Sequence, residues 1–304
     1  MQNDPDITAR LPDDLKSPPP DADEALRDEI RQLENQLAAA KAKLLKTSPS
    51  PDISSPPLPP ESLHLWLLLA DSALPIGSFA FSSALESFIS HRSYTSTNTS
   101  TPAPTPRLSL TRFLRLSLLS VSTTTIPFVA AAFRDPLAAD SLDDTLDAST
   151  TCQVARRASI SQGRALCSVW DKSFAASLLP KGHTAANDGN TAVYSYRPDH
   201  FAVAWGVITR RTGILPDTPQ ALHQVLFVFL FNHVKAVLSA AVRLSLIGPY
   251  VAQQILAAPE TRALVSAAVD RGGSLAVEEA GQSVPALDLW QGRHEKLYTR
   301  IFNS

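Results

Sequence analysis

The sequence predicts an all-α fold: a single-domain bundle of roughly ten helices that follows a disordered, proline-rich extension. Apolar residues recur with the helical period in most segments after residue 60, and no alternating β-pattern of convincing length interrupts them. The hydrophobic fraction of 44% over 304 residues is enough for a large core. We therefore predict an extension at residues 1–60 and a helical domain at residues 61–304.

The extension holds eleven of the 24 prolines and many acidic and serine residues. Such a composition buries too little apolar surface to offset the entropy of the chain, which predicts disorder. One amphipathic helix is predicted inside it, at residues 21–46, where a heptad seam is formed by Leu26, Ile30, Leu33, Leu37, Ala40 and Leu44. Three heptads are at the lower limit for a coiled coil, so a marginal single helix that could dock on a partner is favoured over a true coiled coil.

Residues 63–86 are the stretch around which the domain is organised. An apolar run at 63–70 is too short to span a bilayer and predicts a buried helix. Pro75 is expected to end that helix, because proline lacks the backbone donor, and Gly77 permits a turn. Ser78 is a candidate N-cap for a second helix. The pattern predicts a helix, a hinge at Pro75 and Gly77, and a second helix.

A loop rich in Ser, Thr and Pro is predicted next, at residues 93–107. Three helices are predicted after it, at residues 108–121, 128–134 and 147–179. Gly163 is the one interruption expected in the last of these helices, and Pro180 is expected to end it. A polar, glycine-containing loop is predicted at 181–190. Shorter helices near the C-terminus are predicted at 250–257, 260–270 and 287–300.

Residues 219–246 are apolar nearly all round, which predicts a helix buried in the middle of the fold. Polar and charged residues argue against a membrane span: His223, Gln224, Asn232, His233, Lys235 and Arg243. Four residues at spacings of three and four form one polar stripe, namely Asn232, Lys235, Ser239 and Arg243. Both a solvated face and a partner-facing one are consistent with this stripe.

Bulk properties exclude some classes of protein. The formal net charge of −2 argues against a nucleic-acid binder. If Cys152 and Cys167 share one helix, about 22 Å separates them, which is too far for a disulfide and favours a reducing compartment. The N-terminus has no apolar h-region, so no signal peptide is predicted, and we expect a cytoplasmic protein.

The usual catalytic and metal-binding patterns are missing from the sequence. It contains no GxxxxGK[ST] phosphate loop, no HExxH and no CxxC. His223 and His233 lie ten residues apart, so one metal ion could not join them without a third element. Asp143 and Asp144 are adjacent and face different directions. We therefore predict no catalytic residue, no metal ligand and no enzyme activity.

Five stretches in sequence order resemble one protein family. They are ADSALPIGSFAFSSALE, QVARRASISQGRALCSVW, HFAVAWGVITRRTGI, FLFNHVKAVLSAAVRLSLIG and HEKLYTRIFNS. The second contains an SxxQGR-like element formed by Ser159, Gln162, Gly163 and Arg164. Together they are similar to the UreF family of urease accessory proteins over residues 63–304. Ala84 departs from the family pattern, since it replaces the usual glycine before Leu-Glu, and Ser78 and Pro249 depart as well.

The resemblance implies an all-α protein that is no enzyme and that joins a UreD/UreH-type protein and the GTPase UreG on apo-urease. It implies that the chain holds no permanent cofactor, that nickel passes through the complex, and that the chain could form a homodimer. No nucleic acid and no membrane partner is expected. The residues expected to bind partners or support the fold are Tyr298, Arg300 and Phe302 of the tail, with Lys235 and Arg243 of the stripe. Phe302 is the expected anchor of a docking tail, and Arg300 is expected to fix its path.

Two other classes of protein compete with this interpretation. A generic α-helical scaffold of the solenoid kind needs a repeat of roughly 20–50 residues, and the sequence shows none. A lipid-handling helical protein would need an apolar pocket, for which Phe227, Phe229 and Phe231 are candidates. Residues at successive i and i+2 positions of a helix do not line one pocket, which argues against it.

Overall fold

The computed structural model describes residues 31–36, 39, 60–95, 105–178 and 198–303. Its contacts divide the chain into two units, Met1–Leu58 and Pro59–Ser304. In the first unit, residues 31–36 and 39 are helical and exposed, within the predicted helix at 21–46. The rest of that predicted helix and the predicted loop at 181–190 lie outside the described residues.

The described part of the second unit has twelve α-helical segments and no strand, which confirms the all-α prediction. In chain order they are α1 (Pro60–Ala70), α2 (Leu85–Thr95), α3 (Pro106–Thr124), α4 (Ile126–Arg134), α5 (Ala139–Ser149), α6 (Gln153–Val169), α7 (Ala175–Leu178), α8 (Phe201–Arg211), α9 (Pro219–Arg243), α10 (Pro249–Ala257), α11 (Pro259–Gly273) and α12 (Pro285–Arg293). A π-helical turn, Trp170–Phe174, joins α6 to α7, and 3₁₀ turns lie at Ser78–Ala80, Pro136–Ala138, Val277–Glu279 and His294–Lys296.

Prolines and threonines set many of the helix starts. Proline lies in the first turn of α3, α4, α9, α10, α11 and α12, where its missing N–H has no intrahelical partner to lose. The Thr105 and Thr218 hydroxyls cap α3 and α9, accepting from the backbone N–H of Leu108 and Ala221 at 3.3 and 3.2 Å.

The long helix α9 lies inside the bundle, as its all-round apolar pattern predicts. Among the described residues it is long and apolar enough to cross a membrane, and the bent pair α3–α4 passes the same test if counted as one span. Half of the most apolar window of α9 is buried inside the protein, where it packs against α10, α11 and α4. This burial is typical of the central helix of a helical bundle.

Glycines let two pairs of helices approach closely. A Cβ on Gly206 of α8 would lie 2.6 Å from the carbonyl oxygen of Val129 in α4. A Cβ on Gly163 of α6 would lie 2.1 Å from the carbonyl oxygen of Asp199, just before α8. Side chains at these positions would push the helices apart, so α8 is held between α4 and α6 by glycine contacts.

Several predicted boundaries near the hinge are wrong. The first helix ends at Ala70, before Pro75, because Asp71 Oδ1 accepts from Ala73 N at 2.9 Å and the chain turns there. Ser78 is no N-cap of a long second helix, since it begins a 3₁₀ turn and α2 starts only at Leu85. The predicted loop at 93–107 is shorter at both ends, because α2 runs to Thr95 and α3 begins at Pro106.

Two other predicted helices are also too long. The helix expected at 147–179 is broken at residues 150–152, where the Thr150 hydroxyl donates to Leu146 O at 2.7 Å and ends α5. The helix expected at 287–300 ends at Arg293. After Lys296 the chain leaves the helical path because its backbone donors bind elsewhere, as described below.

Replacing Gly163 by Ala is expected to lower the free energy of unfolding by about 2–4 kcal/mol, since its Cβ would overlap backbone atoms that cannot move aside. Gly292 in α12 is the matched control, because a Cβ there would meet no atom within 4 Å. Gly292→Ala should instead stabilise by about 0.5–1 kcal/mol. Urea denaturation of both variants checks this pair, and equal stabilities would contradict the close helix contact.

Candidate functional site

The polar stripe of α9 contacts the end of α1. Asn232 Nδ2 donates to the carbonyl oxygen of Leu69 at 2.8 Å, and Lys235 Nζ donates to that of Ala70. The last carbonyls of a helix have no partner within it, so two side chains from α9 cap α1. Burial lowers the pKa of Lys235, and the nearby charge of Asp71 partly opposes this shift.

Arg243, at the end of the same stripe, contacts two other segments. Its Nη2 donates to the carbonyl oxygen of Phe79, in the segment between α1 and α2. Its guanidinium carbon lies 4.3 Å from the centroid of the Phe302 ring, a cation–π contact with the C-terminal tail. Ser239 is exposed. Three of the four stripe residues therefore hold segments of this chain, and a purely solvated face does not describe them.

The segment between α1 and α2, residues 71–84, is here called the hinge. Gly77 has φ 72°, a left-handed conformation that glycine adopts without steric cost, whereas Pro75 is exposed in the preceding turn. Ser83 and Ala84 are also left-handed, with φ 51° and 72°. The position where Ala84 replaces the family's usual glycine is thus one where glycine would be unstrained.

Glu86 binds the C-terminal tail, residues 294–303. Its Oε2 accepts from His294 Nε2 at 2.8 Å and from the backbone N–H of Phe302 at 3.2 Å, and its Oε1 accepts from that of Ile301 at 2.7 Å. Glu86 is 5% exposed and His294 is fully buried. A buried carboxylate with three donors is well satisfied, so this group fixes the path of the tail.

The tail has two buried residues, His294 and Phe302, and a row of exposed ones. Phe302 is 4% exposed, as expected of an anchor, while Tyr298 is fully exposed and Ile301 is 63% exposed. Phe79 of the hinge is 66% exposed. Arg300 is exposed and makes no hydrogen bond or ion pair with the described residues, so the groups that fix the tail in this chain are Glu86, His294 and Arg243.

Sequence reasoning did not single out the pairing of Glu86 with His294, because 208 residues separate the two side chains. The available signal was indirect. Each residue belongs to a stretch that resembles the same family, and Glu86 follows a run of small and apolar residues.

A cavity of about 600 Å³ lies beside the hinge and α9. Its lining is more apolar than polar, and its polar side chains include Ser117, Ser159, Gln162, Asn232, His233 and Lys235. Ser117 Oγ lies 2.7 Å from His233 Nε2, and burial lowers the pKa of His233 to about 4. His233 is therefore neutral at physiological pH and gives the cavity no positive charge.

His200 lies at the centre of a second polar cluster, where α5, α6 and α8 meet. Its Nδ1 is 3.0 Å from Ser159 Oγ and its Nε2 is 3.0 Å from Asp147 Oδ1. Arg156 also binds Asp147, and hydrogen bonds from Arg156 are the main cause that lowers the pKa of Asp147. Ser159 Oγ accepts from Phe201 N at 3.3 Å, so the serine of the SxxQGR-like element caps α8.

Arg164 of this element also holds α8 in place. Arg164 forms a two-pronged ion pair with Asp199, at 2.8 and 2.6 Å, which lowers the pKa of Asp199. Asp143 accepts from the backbone N–H groups of Asp199 and His200, at 2.9 Å each. Burial raises the pKa of Asp143, and these two hydrogen bonds oppose the rise.

Ser159, His200 and Asp147 lie in a row and are the residue types of a catalytic triad. The two nitrogens of the His200 imidazole, however, face the opposite partners from those in a triad. The serine faces Nδ1 and the aspartate faces Nε2. In serine proteases Nε2 faces the serine and Nδ1 the aspartate. Ser159 also lies inside helix α6, whose backbone N–H groups are used within the helix, so the helix offers no backbone donor beside Ser159 for an oxyanion. These three side chains therefore connect α5, α6 and the start of α8, and they do not form a catalytic triad.

Neither a metal site nor the phenylalanine pocket is found among the described residues. No group of three or more His, Cys, Asp or Glu residues in that part of the chain could hold a metal ion. Phe229 stacks on Phe201 and makes a T-shaped contact with Trp205 in the core, whereas Phe227 and Phe231 stack on each other along a separate face of α9. The three phenylalanines do not line one pocket for a lipid.

Comparison with known proteins gives consistent matches. The family model named UreF matches residues 106–260. An uncharacterized urease accessory protein UreF-like of Schizosaccharomyces pombe is 34% identical over 253 residues, covering 79% of this chain and 97% of that protein. The urease accessory protein F of Oryza sativa subsp. indica is 34% identical to this chain, and the match covers 78% of this chain and 83% of that protein. The urease accessory protein UreF of Paenarthrobacter aurescens is 27% identical to this chain, and the match covers 78% of this chain and 95% of that protein.

Replacing Glu86 by Ala is expected to release the tail. The three donors that bind Glu86 would lose their acceptor, and each unpaired donor costs about 1–3 kcal/mol. The sum of these costs exceeds the free energy that the burial of the Phe302 side chain contributes. Trypsin should then cleave after Lys296 and Arg300 much faster than in the wild-type chain, as measured by mass spectrometry.

Glu295→Ala is the matched control for this experiment. Among the described residues, Glu295 pairs with Arg157 at the surface, and such pairs contribute about 0–1 kcal/mol. If Glu86→Ala and Glu295→Ala are cleaved at the same rate, the carboxylate of Glu86 does not hold the tail.

Proposed function

Because the chain belongs to the UreF family of urease accessory proteins, we propose that it bridges a UreD/UreH-type protein and the GTPase UreG on apo-urease. In this role it supports the insertion of nickel and the maturation of the urease active site. Nickel is cargo that passes through the complex, and the chain itself contributes binding surfaces and no catalytic step. The complex acts in the cytoplasm, in keeping with two free cysteines, and can contain two copies of this chain.

The observation that carries this proposal is the exposed apolar surface on a fixed tail. Tyr298 and Ile301 of the tail and Phe79 of the hinge are all more than half exposed, yet Glu86 accepts from the backbone N–H of Ile301 and Arg243 donates to the carbonyl oxygen of Phe79. An unbound terminus needs neither the apolar side chains nor the buried carboxylate. A rigid surface with aromatic residues is typical of a protein-binding site, because little conformational entropy is lost when a partner docks.

The direct experiment is size-exclusion chromatography of the chain co-expressed with its UreD and UreG counterparts, with and without nickel and GTP. The proposal expects one complex that contains all three proteins. Elution of the chain away from both partners under all four conditions would contradict it.

Replacing Arg300 by Ala is expected to weaken this complex without changing the free protein. Since the side chain is exposed and makes no hydrogen bond or ion pair with the described residues, the free energy of unfolding should stay within about 0.5 kcal/mol of wild type. A charged hydrogen bond to a partner would be lost, about 1.5–3 kcal/mol, or roughly tenfold or more in affinity. A pull-down of both partners, at matched circular dichroism, measures the loss.

Arg293→Ala is the control, because Arg293 is also an exposed arginine but ends α12 before the tail begins. Equal recovery of both partners with Arg300→Ala and Arg293→Ala would show that Arg300 contacts no partner.

A further inference from the structure

A second cavity, of about 200 Å³, lies between α3 and the junction of α10 with α11, away from the hinge and the tail. Apolar side chains form its floor, namely Leu114, Leu118, Val234, Ile255 and Leu264. Its rim carries Arg107 and Arg115 on the α3 side and Glu260 on the α11 side. It is thus an apolar hole next to two cationic side chains.

The basic character extends along α3 beyond the cavity. Arg107, Arg112 and Arg115 are exposed, and none of their side chains makes a hydrogen bond or an ion pair with the described residues. At about 100° per residue the three lie within one face of the helix, together with Leu108, which is 60% exposed. Helix α3 contains no acidic residue that could pair with them.

We propose that this face, here called the α3 groove, binds an acidic segment of a partner protein. One apolar side chain of that segment enters the cavity, and carboxylates on either side of it pair with the arginines of α3. Charge complementarity carries the proposal, because three exposed guanidinium groups lie on a helix that contains no acidic residue, and they repel one another until an anionic partner binds.

The dimensions favour a protein segment over a small ligand. A void of about 150 Å³ accepts a benzene ring, whereas pockets for drug-sized ligands measure about 300–1,000 Å³. The cavity is therefore sized for a single side chain. The arginines span eight residues of α3, about 12 Å at 1.5 Å per residue, which one helical or extended segment can follow.

Glu260 sets the orientation of that segment. This carboxylate lies on the rim opposite the arginines and would repel an acidic residue placed over it. The acidic side chains of the partner must therefore lie over α3, with a neutral or basic residue over the N-terminus of α11. The α3 groove can act whether or not the tail binds the partners proposed above.

The test uses the full chain and a synthetic amphipathic helical peptide of glutamate, alanine and leucine, with leucines at i, i+3, i+4 and i+7. A second peptide carries glutamine in place of every glutamate. Fluorescence anisotropy is expected to show binding of the glutamate peptide that weakens as salt is raised, and at least about tenfold weaker binding of the glutamine peptide.

Variants separate the two parts of the α3 groove. Arg107→Glu with Arg115→Glu is expected to weaken binding of the glutamate peptide at least about tenfold. Ala258 lines the cavity, so Ala258→Leu places a larger side chain in it without changing any charge. We expect this variant to weaken binding of the glutamate peptide to a comparable extent. Lys172→Glu with Arg293→Glu makes the same change in net charge at two exposed positions elsewhere and should bind like wild type.

Several outcomes would overturn the proposal. Equal binding of the glutamate and glutamine peptides would do so, as would an equal loss in the charge-matched control. A third such outcome is that the wild-type chain binds neither peptide but binds phosphatidylserine vesicles through Arg107 and Arg115. This result would identify a lipid-binding face instead.

Discussion

The need of buried polar groups for partners determines how this fold is assembled. Helix α9 is apolar nearly all round and lies inside the bundle, so each polar side chain on it must find a hydrogen bond or reach the surface. Asn232 and Lys235 find theirs at the free carbonyls of α1, and Arg243 finds its own at the hinge and the tail. The stripe thereby places the first and last elements of the domain against its central helix.

A second constraint acts at the other end of the domain, around α8. Gly163 and Gly206 let this helix approach α6 and α4 to backbone contact, and the buried cluster at His200 closes its N-terminus. The SxxQGR-like element looks like a functional motif in the sequence. In the structure its serine, glycine and arginine all serve the junction of α6 with α8, which stabilises the scaffold that carries the hinge and the tail.

Local pattern was enough to predict the fold class, the burial of α9 and the left-handed turn at Gly77. These features depend on helical periodicity and on the conformational freedom of one residue type. The helix end at Arg293 was not predictable, because a side chain far away in the sequence decides it. Glu86 draws the tail off its helical path through backbone donors of Ile301 and Phe302, and no local signal near residue 294 reveals that acceptor.

The double contact of Arg243 has a thermodynamic consequence. One guanidinium group holds the hinge through Phe79 and the tail through Phe302, so displacing either segment changes the environment of the other. Two proteins that bind these segments are then energetically linked, and each alters the affinity of the chain for the other by the same factor. Binding at either segment would then be coupled to binding at the other through the side chain of Arg243, whichever protein arrives first.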